Sequence, residues 1–114
     1  MNVLEPILDV TFFRTETGRE PTREWLKSLA REKRKTIGEH IKTVQFGWPL
    51  GMPLVRKLDK DRWEVRIRLS DGIARVLFTT GERRMILLHG FIKKSQKTPR
   101  EELALAKTRL RLLQ

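Results

Sequence analysis

Cysteine and tyrosine are both missing from this chain of 114 residues. Without cysteine there is no disulfide, no thiolate metal site and no cysteine nucleophile, a usage compatible with a reducing compartment. Without tyrosine, any proton transfer falls to histidine, carboxylate or lysine. Histidine is scarce too: His40 and His89 stand far apart in sequence, with no carboxylate cluster beside either. Neither a metal centre nor a cofactor is therefore expected. Long apolar runs are also lacking, which argues against a membrane-spanning helix. The opening residues, MNVLEPILDVTFF, have no basic leader and are interrupted by Glu5, Pro6 and Asp9. They do not read as a signal peptide, so a cytoplasmic protein without membrane contact is expected.

Positive charge is what the chain has in excess. Its 25 lysines and arginines against 14 acidic residues give a formal net charge of +11. That balance favours a polyanionic partner without choosing among nucleic acid, an acidic protein and an anionic surface. The length fits one domain over residues 1–114, enough to bury roughly two thirds of the surface an unfolded chain exposes. No repeat, low-complexity segment or linker divides it.

The order of elements follows from periodicity. Residues 9–14 read as a strand and 15–18 as a turn; Pro21 suits the first position of a helix over residues 21–30, whose apolar face is Trp25, Leu26 and Leu29. A second helix follows almost without a break, with Ile37, Ile41 and Val44 at helical spacing, and Gly47, Pro49, Gly51 and Pro53 end it. A short strand at 54–58 carries Arg56 and Lys57. Trp63, Val65, Ile67 and Leu69 then alternate with Glu64, Arg66 and Arg68, the cleanest twofold pattern in the chain. Asp71-Gly72 predicts a tight hairpin, residues 73–79 return antiparallel, and Arg75 falls in mid-strand, where a charge needs a partner. Gly81 allows the next turn. Residues 85–88 are apolar on both faces, as in a central strand, and the character changes at His89-Gly90. Thr98, Pro99 and Glu101 form a capping box that opens a last helix, with Leu103, Ala106, Leu110 and Leu113 as its buried stripe. The prediction is an α+β fold: a small twisted, mainly antiparallel sheet of four to five strands, two N-terminal helices on one face and a C-terminal helix, the other sheet face remaining available.

Several stretches carry a resemblance: VRKL at 55–58, WEVRI at 63–67, IARVLF at 73–78, LLHGFIKKSQKTP at 87–99 and, upstream, GREPTREWLKSL at 18–29. Together they resemble the RelE/HigB superfamily of toxin–antitoxin systems, in its phage-derived Gp49-like branch. The resemblance implies a RelE-like microbial ribonuclease fold and a type II toxin, an endoribonuclease that cuts mRNA in the ribosomal A site and so inhibits translation. It also implies contact with ribosomal RNA and a small antitoxin that often carries a helix-turn-helix. Two departures stand out. Ala74 occupies a position where the family usually has an aromatic, and Phe78 one where tyrosine is common; several relatives use a tyrosine in the catalytic cleft, and this chain has none.

Cutting RNA through its own 2′-OH requires a proton acceptor, cations for the pentavalent phosphate and a proton donor for the 5′-oxygen. Arg66 falls, by resemblance, on an arginine of the superfamily's cleft, and Arg75 on the arginine of its fourth strand; guanidinium holds phosphate bidentately. Arg66 could equally pair with Glu64 on an exposed sheet face. Lys57, Lys93, Lys94 and Lys97 are candidate phosphate clamps, with Lys94 also a candidate proton carrier; Arg68 adds to the RNA-binding set. Their bland role is as solvated charges at a strand end. His89 is the natural proton carrier, unless it packs at the core margin beside Met85, Leu87 and Phe91. Glu64 is the other candidate base, or half of a cross-strand ion pair. Arg23, Lys27, Arg34 and Lys35 form a helical band that could reach ribosomal RNA or merely solubilise the surface. Trp63 reads as core and Trp48 as a loop aromatic able to stack on a base. The alternative to a nuclease is a non-catalytic basic module that binds RNA or an acidic protein.

Overall fold

The alternating stretch around Trp63 forms a strand of a five-stranded sheet in the computed structural model of the chain, which describes residues 5–113. The first four residues of the N-terminal segment read above, and Gln114, lie outside the described residues. In chain order the elements are β1 (Asp9–Phe12), α1 (Pro21–Ser28), α2 (Arg31–Gly47), β2 (Val55–Asp59), β3 (Arg62–Leu69), β4 (Gly72–Gly81), β5 (Arg84–Lys93) and α3 (Arg100–Leu113). The sheet order is β1-β5-β4-β3-β2, with β1 parallel to β5 and every other pair antiparallel. The predicted α+β class and mainly antiparallel sheet are what forms.

One sheet face takes α1 and α2. Val65 and Ile67 of β3, Ala74, Val76 and Phe78 of β4, and Met85 and Leu87 of β5 join Ile37, Ile41 and Val44 of α2 in a single apolar cluster. Each fully buried aliphatic side chain of this size is worth about 1.5–3 kcal/mol, which fixes α2 despite its heavily charged outer surface. Trp48, Trp63 and Phe78 close one end, with the Trp48 and Trp63 ring centroids 5.1 Å apart edge to face. Trp48, read above as a loop aromatic, is thus half-buried against this core. Gly90 admits α1: a Cβ there would lie 2.2 Å from Cζ3 of Trp25, so a side chain at this position would expel the indole.

The opposite face departs from prediction, because α3 covers part of it. Phe13, Leu77, Leu88, Phe91 and Ala106 form a second buried cluster, flanked by Leu103 and Leu110. Leu113, expected in the buried stripe, is exposed. Polar ties reinforce the docking: Arg62 donates from Nη1 to the Leu103 carbonyl at 2.8 Å, and Arg109 from Nη1 to the Leu88 carbonyl at 2.7 Å.

The turns and β5 also differ from the sequence reading. Gly72 already pairs with Leu69, so the β3–β4 loop is Ser70-Asp71. Gly81 pairs with Arg84, and the positive φ angles of the next turn, 50° and 65°, fall on Glu82 and Arg83. β5 runs on through His89-Gly90 to Lys93, and its register against β4 shifts so that Leu77 faces His89 while Phe78 faces Leu87. This bulge changes sides in mid-strand. Met85 and Leu87 face α1 and α2, whereas His89 stacks on Phe91 on the α3 side, so the face they were expected to share does not exist.

Candidate functional site

Alternation along β3 turns Glu64, Arg66 and Arg68 away from the helices α1 and α2, and the cross-strand register sets Arg56 opposite Glu64 and Arg66 opposite Arg75. Two guanidinium groups facing each other across a ladder repel, and the fold must supply counter-charge. Glu64 does so from the same face. Its Oε1 lies 3.2 Å from Arg75 Nε and 3.8 Å from Arg66 Nε, and both Glu64 and Arg75 are fully buried. The Arg75 Nε approach is an ion pair without hydrogen-bond alignment.

The segment after β5 seals this pair. Arg66 donates from Nη2 to the Gln96 carbonyl at 2.6 Å; Arg75 donates from Nη1 to the Lys97 carbonyl at 3.3 Å and from Nη2 to the Ser95 carbonyl. Three consecutive loop carbonyls are therefore held by two arginines. Thr98 completes the arrangement: its hydroxyl lies 3.0 and 2.9 Å from the two Glu64 oxygens and donates to that carboxylate. The predicted N-cap thus serves the buried network. Burial, followed by the like charges of Arg66 and Arg56, pulls the Arg75 guanidinium below its usual value, while Glu64 acts in the opposite sense. Phe91 lies beneath, its ring centroid 5.8 Å from Arg75 Cζ.

Above this buried pair the surface is grooved. A cavity of about 360 Å³ is lined by His40, Leu54, Arg66, Arg68, Ile73 and Gln96, among others. An adjoining one of about 480 Å³ shares Arg68, Ile73 and Gln96 with it and adds Asp71 and Lys94. Together they form a groove across the end of the β3–β4 hairpin, with cations along its length. Asp71 is answered by Lys33 of α2 at 2.6 Å, and that hydrogen bond holds its carboxyl below the usual range. A further cavity of about 490 Å³ between Ile7, Trp48 and the β4–β5 turn carries Glu5 and Glu82, a poorer match for a polyanion.

The predicted site residues are thus divided. Arg66, Arg68 and Lys94 line the groove; Lys93 and Lys97 are exposed next to Lys94. Arg75, expected at the phosphate, is sealed beneath the groove with no exposed surface, because the 95–98 segment folds over it. His89, expected to carry protons, sits on the α3 side: its Nε2 is 2.9 Å from Glu102, and Arg109 Nη1 lies 3.4 Å from its Nδ1. Lys57, expected among the clamps, faces the other way because it pairs with Trp63, whose ring its ammonium approaches at 6.0 Å. Arg23, Lys27, Arg34 and Lys35 are exposed on α1 and α2, the layer on the far side of the sheet, and are not gathered into the groove.

Sequence reasoning missed two residues. Arg56 lies on the Glu64 face, and twofold alternation from Trp63 through the hairpin register was the signal for it. His40, set aside as remote from His89, lines the groove; nothing in linear spacing brings α2 to β3.

The family model for phage derived protein Gp49-like matches residues 24–111. No curated protein matches the chain. The matched span contains every residue of the groove named above and the Glu64–Arg75–Thr98 network beneath it.

Proposed function

Because the chain belongs to the Gp49-like phage-derived protein family, part of the RelE/HigB-like toxin superfamily, we propose that it is a type II toxin, an endoribonuclease that cuts mRNA on the ribosome in the cytoplasm. The observation that carries this reading is the groove: Arg66, Arg68 and Lys94 line adjoining cavities above a buried ion pair that holds Arg66 in place. Two guanidinium groups on one strand face suit a phosphate whose charge grows as the 2′-oxygen attacks. Lys93, Lys94 and Lys97 suit the neighbouring phosphates and ribosomal RNA. Arg75 acts through Glu64 and the loop carbonyls as a positioning residue. An antitoxin partner follows from the family, and the +11 charge favours an acidic surface or segment on it, with a helix-turn-helix elsewhere in that partner.

The test is to induce the protein in growing cells and map the 5′ ends of transcripts. New ends within translated messages, lost in an Arg66→Ala, Arg68→Ala double variant that is still folded, are the expected result. One observation favours a second reading, a non-catalytic module binding RNA or an acidic protein: of the side chains first expected to do chemistry, Arg75 and His89 are both engaged internally. Growth arrest with no new ends and a steep loss of RNA binding in salt would select that reading.

A further inference from the structure

Cleavage through the 2′-OH needs a group that takes a proton at the groove, and His89 is held against α3 by Glu102 and Arg109. The other histidine meets the requirement. His40, half-buried on α2, lines the same cavity of about 360 Å³ as Arg66 and Arg68. Its Nδ1 lies 2.8 Å from the Thr36 carbonyl, an acceptor only, so Nδ1 carries the hydrogen and donates it. That bond fixes the tautomer and the ring: Nε2 is left with its lone pair, and it has no hydrogen-bond partner among the described residues. A histidine that lines the cavity with one ring nitrogen anchored to backbone and the other a bare acceptor is set up as a general base. The remaining cavity wall supplies the complementary charge, since Arg66 and Arg68 are permanent cations, with Met52, Pro53, Leu54 and Ile73 as its apolar lining.

We propose that His40 is the proton-transfer residue of the groove, acting on an RNA phosphodiester; this rests on the endonuclease reading above. The Nε2 lone pair takes the 2′-OH proton as the 2′-oxygen attacks phosphorus. The charge on the phosphorane faces Arg66 and Arg68. The P–O5′ bond then breaks with its electron pair passing to the 5′-oxygen, which takes a proton from water on the opposite side, and the His40 imidazolium returns its own proton to solvent. The products are a 2′,3′-cyclic phosphate and a 5′-hydroxyl end, with no net proton gained or lost. An imidazole as the proton acceptor also fits a chain that has no tyrosine.

The experiment uses a defined messenger on purified ribosomes, with cleavage rates read by primer extension for the wild type, His40→Ala and His40→Asn. Asparagine keeps a side-chain N–H for the Thr36 carbonyl but takes up no proton. Both variants are expected to cut at least about 100-fold more slowly, the scale of a lost general base. Their thermal midpoints and RNA affinity are expected to stay near those of the wild type, and added imidazole is expected to restore part of the His40→Ala rate. Cleavage by His40→Asn within a few-fold of wild type would overturn the inference while leaving the endonuclease reading intact. A wild-type protein that leaves the messenger whole would overturn both.

Discussion

The sheet face turned away from α1 and α2 has two halves that solve one problem differently. Under α3, the half built from Phe13, Leu77, Leu88 and Phe91 is apolar and is closed by a helix, with His89, Glu102, Arg62 and Arg109 tying the helix down. Toward β2, the half built from Arg56, Glu64, Arg66, Arg68 and Arg75 is ionic and is closed only by a loop, whose carbonyls and Thr98 satisfy what the ion pair leaves over. A hydrophobic half needs nothing more than cover. A charged half must be satisfied below, yet it can present cations above, and that is where the groove lies. Thus one sheet face provides both a docking platform for α3 and an anion-binding surface, divided near Phe91, which touches both His89 and Arg75.

Removing the anchor of the ionic half should have the largest effect. Arg75→Ala leaves Glu64 buried without its partner, and the expected loss is about 3–5 kcal/mol in equilibrium urea unfolding. Adding Glu64→Gln should return part of it. A surface phosphate ligand would instead cost within about 0.5 kcal/mol, so a mild Arg75→Ala variant would break the distinction between the two halves.

Thr98→Val removes the hydroxyl that Glu64 accepts, and is expected to cost about 1.5–3 kcal/mol, since the acceptor is charged and buried. Its second signature is faster amide hydrogen exchange across residues 95–98 with little change in α3. In the helix-covered half, His89→Ala should cost about 1 kcal/mol through the lost Glu102 bond, leaving RNA cleavage near wild type. A large loss of cleavage with a native melting profile would restore His89 to the chemistry.

The smallest effect is acid sensitivity at the rim of α3. The side-chain hydrogen bond from Arg62 is the main cause holding the Asp59 carboxyl below its ordinary value of 3.8, against the opposing effect of burial. Its stabilisation is therefore complete above that value and fades as pH falls through the lower folded value. With Asp59 substantially solvated, the contribution is less than about 1 kcal/mol. Asp59→Asn should lower the neutral plateau of a stability–pH profile by that small amount and flatten its acid limb, the two proteins converging at low pH.

Much of this architecture could be read in the sequence wherever one period governs a segment. The β3 alternation placed Trp63, Val65 and Ile67 toward the helices and Glu64, Arg66 and Arg68 away from them; the spacing of Ile37, Ile41 and Val44 set the buried face of α2. The readings failed where tertiary contacts override local pattern. Thr98 has the chemistry of a helix cap, but a buried carboxylate is the more demanding partner. His89 changes face through a bulge whose one linear trace is the neighbouring Gly90. Arg75 was rightly marked as a mid-strand charge in need of a partner, but its burial depends on a loop folding back from twenty residues later. His40 joins Arg66 only through the packing of α2 near the hairpin end, a proximity that no spacing rule encodes.

The division of the sheet face is tested most directly by titrating the labelled protein with a short 2′-O-methyl oligoribonucleotide, which lacks the attacking hydroxyl, and following its amide resonances. The expected result is a set of shifts confined to Arg56, Arg66, Arg68, His40 and residues 93–97, with α3 unmoved. Shifts centred on α3 and His89, or spread evenly over the outer surfaces of α1 and α2, would contradict it.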